Sequence, residues 1–149
     1  MDKIDRKIVN ILQTNARASL KDLSKECFIS SPAIAARISK LERSGIIKGY
    51  QADINLEKIN FHVKAFIQVQ LEPRQKKEFY PYIQNIPNVI ECNCVTGDFS
   101  EVMEVVLPST TDLDDFINDI QQRFGKTSTQ IVFSTSVDHR GVQLSDPQE

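Results

Sequence analysis

Val89-Ile90-Glu91-Cys92-Asn93-Cys94-Val95-Thr96-Gly97-Asp98-Phe99-Ser100-Glu101-Val102-Met103-Glu104-Val105-Val106-Leu107 reads as two strands, 89–95 and 102–107, joined by a tight turn. Gly97 can take positive φ, and the short Asp98 carboxylate can bond its own backbone. Taken alone, this is an ordinary hairpin turn.

Working outward, the same half of the chain supplies two helices and two more strands. Val63, Ala65, Ile67, Val69 and Leu71 alternate with mostly polar residues over 62–72, which predicts a half-buried strand. Phe66 breaks the polar set and suits contact with a partner. Residues 74–85 read as a helix with Phe79, Ile83 and Ile86 on one face. Pro81 lies inside it, so the helix starts late, near Glu78, or kinks. Pro108 stops the second hairpin strand. Thr111 then caps a helix running to about Phe124, with Leu113, Phe116, Ile117, Ile120 and Phe124 as its apolar stripe. Gly125 closes it. A last strand over 130–137 places Ile131, Phe133 and Val137 on one face. The order strand, helix, strand, strand, helix, strand predicts a ferredoxin-like βαββαβ domain, an antiparallel sheet with both helices on one face. The other face needs a cover. Two such sheets packed face to face provide one, hence an expected dimer.

The first third is helical. Ile4, Ile8, Ile11 and Leu12 fall at helical spacing. Ser19 is positioned to cap a second short helix, and Ser30 or Ser31 a third, with Pro32 in its first turn. Ile34, Ile38 and Leu41 form the inward stripe of that third helix. Ala33, Ala36, Arg37, Lys40 and Ser44 lie along a neighbouring flank, small near the start and basic further on. That pattern suits a helix-turn-helix whose last helix enters a DNA groove. Residues 46–55 read as a hairpin wing, with Lys48 over a phosphate and Ile46, Ile47 and Ile54 packed on the helices. The candidate DNA contacts are therefore Ser31, Pro32, Ala33, Ala36, Arg37, Lys40 and Lys48. Arg37 has a second reading, pairing with an acid of its own domain.

Composition is consistent with this division. The chain has 149 residues, 40% hydrophobic and 26% charged, with net charge -2. Residues 1–60 hold 11 Lys+Arg against 7 Asp+Glu, or +4; residues 61–149 hold 7 against 13, or -6. A basic front and acidic rear suggest that the front meets a polyanion. No apolar run is membrane-length and no signal-peptide pattern opens the chain, so a cytoplasmic, bacterial-type protein is expected. The three cysteines are odd in number and lack zinc or disulfide-scaffold spacing. Cys92 and Cys94 share one side of a strand, about 7 Å apart, too far for a relaxed disulfide. Buried free thiols are expected. His62 and His139 each stand alone, so no metal site is expected.

Four stretches resemble a known family. Ile4-Asp5-Arg6-Lys7-Ile8, Asn15-Ala16-Arg17-Ala18-Ser19 and Arg37-Ile38-Ser39-Lys40-Leu41-Glu42-Arg43-Ser44-Gly45-Ile46-Ile47-Lys48-Gly49-Tyr50 are similar to the opening third of leucine-responsive regulator / AsnC (feast/famine) proteins. Val95-Thr96-Gly97-Asp98 resembles their second hallmark. The resemblance spans nearly the whole chain up to about Val137. It implies an α+β protein: a winged helix-turn-helix over 1–57, a linker at 58–61, a RAM-type βαββαβ effector and oligomerisation domain over 62–140, and a loose tail over 141–149. It also implies a transcriptional regulator that binds double-stranded DNA as dimers, assembling further to tetramers or octamers, and that responds to a small effector such as an amino acid. The effector residues it points to are Gly97, Asp98, Ser100 and Glu101. Family members commonly carry Gly where Phe28 stands, and an acid where Ser100 stands.

Three functions compete. The first is a sequence-specific regulator reading an imperfect palindrome. The second is a ligand-independent architectural protein that wraps DNA. The third, by family resemblance, is a tetrapyrrole decarboxylase; the acidic rear and scarcity of histidine argue against it. The sequence shows no nucleophile–base pair, phosphate loop or paired-carboxylate signature, so neither catalysis nor a cofactor is expected.

Overall fold

A computed structural model describes residues 1–145. The chain divides into two compact units, 1–53 with the described part of 136–149, and 54–135.

The first unit is built on three helices. Helix α1, Lys3–Thr14, starts in a reciprocal capping box: Asp2 accepts from the Asp5 backbone N–H, and Asp5 from that of Asp2. Ser19 caps α2, Leu20–Cys27, and Ser30 rather than Ser31 caps α3, Ser31–Arg43, with Pro32 in its first turn. Ile8, Leu23, Cys27, Ile34 and Leu41 make the core, with Ile38 and Ile47 packed against it.

The expected hairpin over 46–55 does not form; those residues carry no strand. Ile47 reaches the core, but Ile46, Tyr50 and Ile54 stay exposed. The backbone N–H groups of Ile46 and Ile47 instead bond the Leu41 carbonyl at the end of α3. A lone two-stranded ribbon with one buried side chain has too little apolar contact to hold its pairing.

The segment expected as a loose tail is tied to α1 along its described part. Asn10 Nδ2 donates to the Leu144 carbonyl and Asn10 Oδ1 accepts the Leu144 N–H, both at 2.9 Å; Gln13 donates to the Val142 carbonyl. Residues 146–149 lie outside the described residues.

The second unit is a four-stranded antiparallel sheet in the order β2-β3-β1-β4, from β1 Val63–Val69, β2 Val89–Cys94, β3 Glu101–Leu107 and β4 Thr127–Ile131. Helices α4, Lys76–Gln84, and α5, Thr110–Phe124, share one core with the inward residues of β1 and β3. Val63 pairs with Leu107, Ala65 with Val105 and Ile67 with Met103, so these six face the helices. Pro81 sits inside α4, which starts at Lys76, so the late start near Glu78 is not the one adopted. Ser109, not Thr111, caps α5.

The last strand differs most from expectation. It uses the hydroxyl-rich 127–131 stretch, and Phe133, 99% exposed, and Val137 lie beyond it. Gly125, at φ 98, turns the chain straight from α5 into the sheet, so pairing with β1 begins at once and Thr127 stands opposite Val69. On the sheet face away from the helices, Phe66 is 37% exposed and Lys64 pairs with Glu104 at 2.9 Å. No described helix is long and apolar enough to cross a membrane.

Candidate functional site

The first candidate surface is the outer stripe of α3. Pro32, Ala36, Lys40 and Arg43 are exposed at steps of four, four and three, while Ser31 and Ala33 are half-buried beside them. Ile34 and Leu41 anchor the opposite side in the core. The helix therefore presents small residues at its start and cations at its end. Among the described residues, Lys40, Arg43 and Lys48 have no ion-pair partner. Arg43 is absent from the sequence-derived candidates; its spacing of three from Lys40 was the available signal.

Arg37 departs from that group. Its Nη1 lies 2.7 Å from Asp2 Oδ2 and 2.6 Å from Asp5 Oδ1, and the Asp5 side chain is nearly buried. These hydrogen bonds raise the Arg37 pKa; Asp2 is lowered by the Asp5 N–H first and by Arg37 second. Arg37 thus pins α3 to the capped start of α1, the second of its two readings.

The turn between α2 and α3 is built on Phe28 at φ 57 and ψ 37, the left-handed region. A side chain there costs on the order of 1 kcal/mol relative to glycine. The ring is 89% exposed, with Lys7 Nζ 5.5 Å from its centroid.

The second candidate is the β2–β3 turn. The Val95 N–H bonds the Ser100 carbonyl at 2.8 Å and closes it. Gly97 takes φ 110; a Cβ would meet nothing within 4 Å, so the dihedral, not space, calls for glycine. The Asp98 carboxylate is exposed and makes no hydrogen bond among the described residues, so it does not brace its own turn. Ser100 Oγ is buried without a hydrogen-bond partner among the described residues.

Glu101 does not join this cluster. It stands opposite Val69 and Cys94 on the helix-facing side of the sheet, 0% exposed. Tyr80 Oη donates to its Oε1 at 2.9 Å, and Lys76 Nζ lies 3.3 Å away. The cysteines are all free, but only Cys27 is buried; Cys94 is exposed and Lys76 Nζ lies 3.2 Å from its sulfur. Burial first, and then the charge of Glu101, pushes the half-buried Cys92 thiol up to about 11.

Known proteins share both halves. Residues 1–48 match a family model described as winged helix-turn-helix DNA-binding, and residues 64–142 one described as Lrp/AsnC ligand binding domain. An uncharacterized HTH-type transcriptional regulator of Bacillus subtilis, YezC, is 41% identical over 93% of this chain and 98% of its own. The HTH-type transcriptional regulator LrpA of the same organism is 33% identical over 82% of this chain and 90% of its own. The solved structure of B. subtilis LrpC superposes with a TM-score of 0.86 at 28% identity, covering 93% of this chain and 97% of the other.

Proposed function

The chain belongs to the Lrp/AsnC family of helix-turn-helix transcriptional regulators, and from that premise we propose how it meets DNA and effector. Helix α3 enters the major groove. Pro32, Ala36 and the flanking Ser31 and Ala33 let the backbone approach the base edges, while Lys40, Arg43 and Lys48 take phosphates. Arg37 positions the helix and does not touch DNA. The exposed stripe of α3, whose cations Lys40 and Arg43 have no ion-pair partner among the described residues, carries this reading.

In the same reading, residues 1–57 are the DNA-binding head, 58–61 the joint and 62–140 the assembly and effector part. The sheet face bearing Phe66, Val102 and Val106 meets a second copy, so that dimers form and assemble further. A small effector such as an amino acid binds at the β2–β3 turn, where the ungrouped Asp98 carboxylate is free to receive an ammonium and Gly97 shapes the loop. The protein works in the cytoplasm.

Binding of Lys40→Ala to a target duplex at several salt concentrations tests the DNA reading. The salt slope should fall by about one unit together with affinity. An unchanged slope removes Lys40 from the interface. Calorimetry with the amino acids tests the effector reading: heat from one or a few of them should vanish in Asp98→Ala. Silence from all of them supports a ligand-independent architectural role.

A further inference from the structure

The first unit is made from two parts of the chain that lie far apart in sequence, 1–53 and the described part of 136–149. The chain therefore crosses between the units twice, once after residue 53 and again before residue 136. The second crossing restrains the head only where the segment beyond it is held. Asn10 Nδ2 donates to the Leu144 carbonyl while Asn10 Oδ1 accepts the Leu144 N–H, both at 2.9 Å. Gln13, three residues on and so on the same side of α1, donates to the Val142 carbonyl at 3.0 Å. At Gly141 an added Cβ would lie 2.6 Å from Gln13 Oε1 and 2.8 Å from Gln13 Cβ. The second of those atoms is fixed by the helix backbone and cannot swing aside, so this close approach calls for glycine.

These contacts have the character of recognition. The Asn10 carboxamide offers a donor and an acceptor in one fork and satisfies both backbone groups of a single residue, as the facing residue of an antiparallel strand does. Leu144 is half-buried as well. The bonds fall on backbone groups of the segment, and the demand on its side chains is glycine at 141. The ligand-binding family model ends at residue 142, so the Leu144 contact lies outside it. Three hydrogen bonds at a half-exposed surface hold a segment only weakly, so docked and released tails exchange and one lost contact shifts the balance.

We propose that α1 carries a recognition site for a backbone segment, that its occupant is the chain's own residues 141–144, and that docking gives the DNA-binding head a releasable second tether. A head joined at two crossings reaches fewer positions than a head joined at one. The docked tail thereby narrows the half-site spacings that an assembled regulator accepts. The docking stands apart from how the protein meets DNA; its effect on spacing rests on the proposed α3 reading.

Two measurements on the full chain test the docking. Exchange of the Leu144 amide, followed by NMR, should speed up about tenfold in Gly141→Ala, with the Ile8 amide of α1 unchanged as the folding control. That variant touches neither bond of Leu144, so faster exchange there reports release. Trypsin cleavage after Arg140, followed by mass spectrometry, should speed up by a similar factor in Asn10→Ala, which leaves the cleaved sequence intact. The consequence is read on duplexes carrying two half-sites at the target spacing or with about 5 bp, half a helical turn, inserted between them. The wild-type chain should bind the inserted duplex at least about tenfold more weakly, and both variants should cut that penalty about threefold or more. Four outcomes would overturn the proposal: a Leu144 amide unprotected in the wild-type chain; exchange and cleavage indifferent to both variants; protection that falls on dilution, which would give the site to the tail of a second copy; or an unchanged spacing penalty in variants whose tails are released. Failure of the α3 reading shows separately, as a salt slope unchanged in Lys40→Ala, and Leu144 exchange still decides the docking.

Discussion

At the scale of single residues, the proposed reading assigns Arg37 to structure and Lys40 to recognition. They stand three apart on one helix and carry the same charge. Arg37 is held by Asp2 and Asp5, whereas Lys40 is exposed with no ion-pair partner among the described residues. Arg37→Ala leaves the nearly buried Asp5 carboxylate without its cation. It should lower unfolding stability by about 1–2 kcal/mol in a denaturant titration while leaving the salt slope of DNA binding unchanged. Lys40→Ala should do the reverse. This distinction was beyond sequence alone, because periodicity places both residues on an outer flank and only the packing of α1 brings two acids under one of them. Phe28 was only partly legible. Sequence left a left-handed residue and a remodelled turn both open there, and φ 57 is the first of the two.

At the scale of elements, the apolar stripes of α3, α4 and α5 and the alternation of β1 were readable, since burial of one face dictates each period. The strands 46–55 and 130–137 were not. In both stretches scattered isoleucine, phenylalanine and valine residues suggested a buried face, but only Ile47 packs on a core, and the sheet edge went to the threonines at 127–131 through the tight Gly125 turn. One contact between elements has a consequence in pH. The Tyr82 hydroxyl of α4 donates to Asp119 of α5, which also holds Arg123 at 3.0 Å. Burial first, and then the Asp119 bond, pushes Tyr82 from 10.0 up to about 12. The folded state therefore holds this proton more tightly than the unfolded chain. The stability it contributes is fully present below pH 10 and is lost as pH rises toward 12. Denaturant unfolding across that window should show a steep loss of stability that Tyr82→Phe flattens, and a tyrosinate absorbance titration should assign the step. An unchanged slope in Tyr82→Phe would place the loss elsewhere.

At the scale of the whole molecule, the candidate effector set read from sequence as one cluster divides into two. Asp98 is exposed on the turn, and Glu101 is buried beneath α4. Residues close in sequence looked like one site, but Asp98 lies in the turn while Glu101 opens β3 and faces the helices. In the proposed assembly the uncovered sheet face is the interface. Replacing Phe66 with Asp puts a charge among Val102, Val106 and the Lys64–Glu104 pair, so light-scattering mass should fall from a multiple of the chain to a single chain. DNA affinity should drop in step, because linked heads bind with a high effective concentration. A Phe66→Asp protein of unchanged mass would remove this face from the interface. The central claim is that an assembled regulator presents two α3 helices to DNA, and a hydroxyl-radical footprint on a target duplex tests it most directly. The account predicts two protected backbone patches on one face of the duplex, their centres about 10 bp or a multiple of it apart, both weakened in Lys40→Ala. A single patch, or two patches indifferent to Lys40, would contradict it.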